Sequence, residues 1–436
     1  MKKDLKNPEV APKVKALRKH EGDTQADIAE LIGVDEQTIK RIEQGKSEHG
    51  DSRLNIILKH YDVVDLPFKD EDRLPYVKRL HRYGETIASG LIEDAKALQK
   101  DLHRTLKAES FDLELSLLYR LPTVDLLIQQ GKSLEARKEM LSSKKNIDKM
   151  SPRLLYHYYH NEGLLYSRDL NYKEAIKFFK KADEISENNP ELPLIFKLRA
   201  TSNIGRCYTE LAYPFAGIVF LENALEKNED SGLALFNFNV NLTLSLNYSR
   251  VGVIIRAKEL LGKALDYAQS VDNKFYIGLV HYNYGRMHNT LESWEEGKES
   301  LDKAIDILGE GSPYHMWSCC YKIECMIGNR EFKSAEKMIE EVESMYPDDK
   351  HAIKRLGLLK STHSISKGIT QPKDKDVEYL LNKAIPDLID NHFISDAIKI
   401  YELLAEHFER TNQRMRAGEM YKRLNELRKS LSAKIQ

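Results

Sequence analysis

Two groups of side chains have types and spacing that can do chemistry, and both suit recognition rather than bond making. The first is Glu36, Gln37, Thr38, Lys40 and Arg41, five polar residues within six positions. Arginine forks to guanine, glutamine pairs with adenine and a carboxylate accepts from cytosine, so Arg41, Gln37 and Glu36 each match a base edge in a major groove. The second group is spread along the chain. Asn161, Asn203 and Asn283 each stand two residues before a glycine, with His157, Arg199, Arg206, Tyr282 and Arg286 in the same stretches and Asn239 in the stretch between the last two. An asparagine amide offers a donor and an acceptor, which suits the backbone of an extended peptide, and a guanidinium beside it suits a carboxylate.

Enzymatic readings fail on spacing. Gly45-Lys46-Ser47 and Gly131-Lys132-Ser133 resemble the end of a phosphate-binding loop, but the glycine needed five residues earlier is Lys40 in one and Leu126 in the other. The 14 histidines include no His-Glu-x-x-His and no Cys-x-x-Cys partner set, so no metal and no cofactor is expected. Cys207, Cys319, Cys320 and Cys325 read as reduced packing residues. No Ser, His and acid constellation can be argued from spacing, and no catalytic residue is assigned.

The first group needs a helix to present it. Lys13 to His20 reads as one short helix, and Thr24 with Asp27 makes a capping-box start for a second, Gln25 to Ile32, which ends at Gly33. Asp35 then caps a third that runs through Gln44 to Gly45. Two helices crossing steeply want a small residue in the first, a glycine at the turn and branched apolar residues in the second. Ala29, Gly33 and Ile39 meet those demands, and Ile28, Ile32, Val34 and Ile42 fill the apolar positions between. Glu36, Gln37, Thr38, Lys40 and Arg41 are left to project outward.

This layout is a helix-turn-helix, and Ile39 to Lys46 resembles the signature of the Xre and Cro family, with the likeness running from Leu17 to Val63. The resemblance implies that Glu36, Gln37 and Arg41 face base edges. It also implies that Gln25, at the positive end of its helix, contacts a phosphate, helped by Lys46 and Lys40. Met1 to Leu66 carry 12 Lys+Arg against 13 Asp+Glu, so weak binding by one copy is expected, rescued when two copies engage two half-sites of a double-stranded operator. The competing reading is a helix-turn-helix kept only for docking or dimerisation.

Residues 1–66 are thus read as the DNA-binding domain, 67–75 as a linker and 76–436 as a repeat domain of about nine helical pairs. In the clearest unit, Leu154 to Asn189, Gly163, Tyr166, Ala175, Phe179 and Ala182 fall at the spacing of the tetratricopeptide pattern. The frame recurs as Gly205, Tyr208, Gly217, Leu221 and Ala224, and again as Gly285, Gly297, Leu301 and Ala304, at roughly 40 residues per repeat. The fold expected is all-α, a helix-turn-helix followed by a right-handed tetratricopeptide-like superhelix. A generic helical solenoid is the bland alternative. In a tetratricopeptide hairpin the first helix lines the groove, and its inward positions here are His157, Asn161, Arg199, Asn203, Arg206, Asn239, Tyr282, Asn283 and Arg286. A merely solvated face is the competing reading for each of these residues singly.

Lys+Arg at 67 nearly cancel Asp+Glu at 68, so any contact with DNA must be local. No stretch approaches the roughly 20 apolar residues that span a bilayer, and a cytoplasmic protein without membrane contact is expected. A helix-turn-helix ahead of a long tetratricopeptide array resembles the RRNPP receptors of Gram-positive bacteria and their phages, which bind short imported signalling peptides. The resemblance implies a homodimeric transcription regulator of the quorum-sensing or lysogeny type. A peptide would lie in the groove at the asparagine positions, and a change of superhelix would reset the spacing of two DNA-binding heads. The alternative is an adaptor resembling the Rap proteins, which sequesters a response regulator or other protein without reading DNA.

Overall fold

The computed structural model describes residues 14–15, 18–19, 22–44, 46, 53, 56–57, 60–61, 70–105, 113–229, 231–310, 312–367, 374–390 and 394–433. All regular structure among them is helical, with a helix-turn-helix ahead of a tetratricopeptide-like repeat domain. Gly45, expected to end the third helix, and residues 67–69 of the expected linker lie outside the described residues.

In the amino-terminal part, α1 is Gln25–Ile32 and α2 is Glu36–Glu43. Helical residues 14–15, 18–19, 53, 56–57 and 60 accompany them. The array then runs through α3 (Asp70–Ala88), α4 (Ile92–Thr105), α5 (Leu113–Gln129), α6 (Ser133–Lys144), α7 (Pro152–Arg168) and α8 (Tyr172–Asn188). It continues through α9 (Leu194–Glu210), α10 (Pro214–Asn228), α11 (Ala234–Arg250), α12 (Ile254–Ser270), α13 (Lys274–Thr290) and α14 (Trp294–Leu308). After α15 (Pro313–Gly328), α16 (Phe332–Met345) and α17 (Lys350–Ser366) come α18 (Asp374–Tyr379), α19 (Ile385–Asp390), α20 (Ile394–Arg410) and α21 (Arg414–Ala433). α3 starts inside the segment expected as a linker.

Hairpin turns repeat one backbone device. Gly90, Gly131, Leu170, Ala212, Gly252, Glu292, Arg330 and Asn412 all have positive φ, and each closes the first helix of a pair. Five of these eight are not glycine, so the turn is imposed by the packed helices against a local cost of roughly 1–2 kcal/mol each. One pair departs from the pattern. Between α18 and α19 the chain makes a π turn, Leu380–Ala384. Pro386, one residue into α19, supplies no N–H, and the backbone ladder slips there.

The chain forms two compact units, residues 1–165 with 181–197, and residues 166–180 with 198–436. In the first, the helix-turn-helix has its own core of Val14, Ile28, Ala29, Ile39, Ile42, Ile57 and Tyr61. In the second, Leu261, Ala264, Val280, Met287, Leu301 and Ala304 are buried in one cluster with Phe238. Full burial of a side chain such as Phe238 contributes about 1.5–3 kcal/mol. The repeat frame shows its cause here. A Cβ on Gly285 of α13 would lie 2.4 Å from Leu301 Cγ of α14, and one on Gly205 of α9 would lie 2.7 Å from Leu221 Cγ of α10. Only glycine lets the paired helices come so close.

Candidate functional site

The local signals of the helix-turn-helix do what their chemistry demands. Thr24 Oγ1 accepts from the Asp27 amide at 3.1 Å, and Asp27 Oδ2 accepts from the Thr24 amide at 2.6 Å. Gly33 takes the left-handed conformation, φ 67°, and ends α1. Asp35 Oδ1 accepts from the Thr38 amide at 2.7 Å and caps α2, which keeps its carboxyl below the usual aspartate range. Ile39 and Ile42 face the core, so Glu36, Gln37, Lys40 and Arg41 are exposed on the opposite side of α2, with Lys46 exposed just beyond. Thr38 is placed differently from these. It is half-buried and its hydroxyl donates to Asp35 Oδ2 at 3.1 Å.

Beneath that face lies a buried polar knot that the sequence did not disclose. Arg18 Nε donates to Glu43 Oε1 at 2.6 Å, and Gln25 Nε2 donates to Glu43 Oε2 at 2.7 Å. Arg18 Nη1 also donates to the Asp23 carbonyl at 2.9 Å. The bond to Glu43 raises the Arg18 pKa above its ordinary value. Gln25, expected at a phosphate, therefore has its amide nitrogen fixed from behind by the last residue of α2.

The repeat-domain candidates do not share one environment. In the first unit Asn161 has no exposed surface, and its Nδ2 donates to the Leu121 carbonyl of α5 at 2.7 Å. His157 is also buried, edge-on to the Phe196 ring at 4.9 Å. In the second unit Asn283 is nearly buried and donates to the Leu279 carbonyl of its own helix at 2.8 Å. Arg199 and Asn203 are half-buried, Arg206 and Asn239 exposed. Equal register in three first helices thus gives unequal surroundings: Asn161 bonds to a neighbouring helix, Asn283 to its own, and Asn203 is half-buried.

Tyr282 and Arg286 are brought together with residues that sequence reasoning passed over. Arg286 Cζ lies 5.5 Å from the Tyr282 ring centroid and 5.6 Å from that of Tyr321 on α15. Its ion pair is with Glu210, the last residue of α9, at 4.0 Å. Burial lowers the Arg286 pKa, but Tyr321, Tyr282 and Glu210 together raise it further, so the guanidinium stays charged. Arg355 of α17 also stands over Tyr321, at 5.7 Å, and pairs with Glu324. Arg250 of α11 donates to the Thr209 carbonyl beside Glu210. Tyr321 follows Tyr282 by 39 residues, close to one repeat, and that spacing was the signal available for it. Nearby, a cavity of about 370 Å³ is lined by Tyr166, Asp169, Leu170, Asn171, Tyr172, Lys173, Leu211 and Asp390. Among the described residues no His, Cys, Asp and Glu group is arranged to hold a metal.

All four cysteines are free and buried. Burial pushes their thiols up, to about 12 for Cys207, Cys320 and Cys325 and about 11 for Cys319.

Residues 14–68 match the family described as Helix-turn-helix. Regulatory protein RapG of Bacillus subtilis (strain 168) is 21% identical over 267 residues, 61% of this chain and 69% of RapG. A crystal structure of a Rap protein complexed with competence and sporulation factor superposes with a TM-score of 0.70 at 17% identity, over 82% of this chain and 99% of that one. NprR in complex with its cognate peptide NprX superposes with a TM-score of 0.66 at 17% identity, over 83% and 99%. The fold is that of the RRNPP receptors. No helix among the described residues is long and apolar enough to cross a membrane.

Proposed function

We propose that this chain is a DNA-binding transcription regulator whose activity is set by a short signalling peptide held in its repeat domain. One observation carries the first half: Glu36, Gln37, Lys40 and Arg41 are exposed along one helix whose opposite side, Ile39 and Ile42, is anchored in a core. A rigid polar face of that kind is what base readout needs. Gln25 and Lys46 are assigned to phosphates, and Thr38 to holding the start of α2. The acid content of the domain makes one copy a weak binder, so the working species is a homodimer on two half-sites. The second half draws support from the fold, since the Rap and NprR structures that share it hold a competence and sporulation factor and the peptide NprX. Here the peptide contacts are assigned within the second unit, to Arg199, Asn203, Arg206, Asn239, Tyr282, Asn283 and Arg286. His157 and Asn161 are buried in the first unit and are assigned to packing there.

Selection from a random duplex library tests the reading. The full-length protein is expected to enrich one sequence with two related halves, and the Gln37→Ala, Arg41→Ala double variant is expected to enrich none. If the wild type enriches nothing, with or without a pool of synthetic heptapeptides, the adaptor reading replaces this one. That second reading has its own support in the likeness to RapG and in Asp35 and Glu36, which put negative charge at the face DNA would approach.

A further inference from the structure

Arg286 and Glu210 belong to helices two hairpins apart, yet they pair across the one between them at 4.0 Å. At that length the charges attract but no hydrogen bond forms. The two partners are unequally placed. The Arg286 side chain is 14% exposed and lies against the faces of two tyrosines, whereas Glu210 is 29% exposed. A guanidinium withdrawn from water is costly unless an acid meets its N–H fork squarely. Glu210 does not, and being nearer to water it is the partner that can leave.

A second arginine on the same ring points the same way. Arg355 Cζ is 5.7 Å from the Tyr321 centroid, and its buried Nε has no acceptor among the described residues. A cavity lies one residue on from Glu210. Leu211, the residue after Glu210, lines the 370 Å³ cavity together with Tyr172, which lies within electrostatic reach of Glu210, Arg206 and Arg286.

We infer that Arg286 is the receptor for a carboxylate of the peptide ligand, and that Glu210 is an internal stand-in which a ligand carboxylate displaces. This rests on the peptide-binding reading above and adds the chemistry of the anchoring group and the contact that binding breaks. Exchange of Glu210 for a ligand acid releases α9 from α13, so occupancy and the relation of those two helices are linked. The acid is either the peptide's own C-terminus or an Asp or Glu side chain.

The test uses the full-length chain and two pools of random-sequence heptapeptides, one with free C-termini and one amidated, with retained peptides identified by mass spectrometry after gel filtration. Wild type is expected to retain free-acid peptides about tenfold over amidated ones, a difference of about 1.4 kcal/mol in affinity. A side-chain source shows instead as amidated peptides enriched in Asp or Glu. Glu210→Gln removes the competitor and is expected to raise retention of acidic peptides by a similar factor. Arg286→Gln is expected to lose the acid preference, with far-UV circular dichroism checking its fold. Should that variant not fold, Glu210→Gln decides alone. Retention without any preference for acid, or Glu210→Gln equal to wild type, overturns this inference and leaves peptide binding standing. If no variant retains any peptide, both are overturned.

Discussion

Glu43 at the end of α2 accepts a 2.6 Å hydrogen bond from Arg18 Nε inside the helix-turn-helix, and the same carboxylate holds Gln25 of α1 at 2.7 Å. One acid therefore joins three helical segments and fixes how α2 stands on the domain. Glu43→Ala leaves a buried guanidinium with no acid and is expected to cost about 3–5 kcal/mol. Hydrogen exchange of the α1 and α2 amides is the readout: protection should fall sharply there while the repeat helices keep theirs. Unchanged protection in α1 and α2 would show that the knot is not what holds them.

The reading face makes a graded prediction. With the duplex recovered by selection, Arg41→Ala and Gln37→Ala are each expected to weaken binding about 5- to 150-fold and to relax sequence preference at one position. Lys46→Ala should weaken binding to all sequences alike and reduce the slope of affinity against salt by about one phosphate contact. Fluorescence anisotropy at several salt concentrations separates the two behaviours, and an Arg41→Ala protein that binds and discriminates like wild type would remove α2 from the groove.

Close packing in the array predicts opposite signs at two glycines. At Gly285 a new methyl meets Leu301 at 2.4 Å, so Gly285→Ala should destabilise by about 1–3 kcal/mol. Gly262, inside α12, has nothing within 4 Å of a new Cβ, and there alanine should stabilise by about 0.8–1 kcal/mol through helix propensity alone. Thermal unfolding of the two variants should bracket the wild type, and two shifts of the same sign would contradict the packing described.

Acid should loosen the array before it titrates carboxylates. Burial holds the pKa of His315 below the usual 6.5, and likewise those of His281, His288 and His407. His315 Nδ1 also lies 2.8 Å from the Tyr346 hydroxyl. Because these rings take up protons more readily when unfolded, their contribution is complete above pH 6.5 and is lost as pH falls from there toward the folded values. The urea midpoint is expected to drop between pH 7.5 and 5.5, and less so in His315→Gln. A midpoint that stays level over that range would count against buried neutral histidines.

Sequence was informative wherever the signal was local. Thr24 with Asp27, Gly33 with its positive φ, and Asp35 fix both ends of α1 and the start of α2 within one turn of chain. The glycine and leucine frame marked hairpins because helix approach depends on residues inside one repeat. Contacts between repeats were not legible. Asn161, Asn203 and Asn283 look alike in register, but their surroundings differ, Asn161 bonding to a neighbouring helix and Asn283 to its own. Glu210 reads as the acid end of an ordinary helix until folding sets it beside Arg286, 76 residues away.

Coupling between a peptide on the repeat domain and DNA on α2 is tested most directly by titrating the selected duplex with full-length protein, with and without a saturating retained peptide. The expected result is a shift in DNA affinity of about 5- to 150-fold in one direction, absent in Arg286→Gln. Identical affinities with and without peptide, when both ligands demonstrably bind, would contradict a peptide-regulated DNA-binding protein.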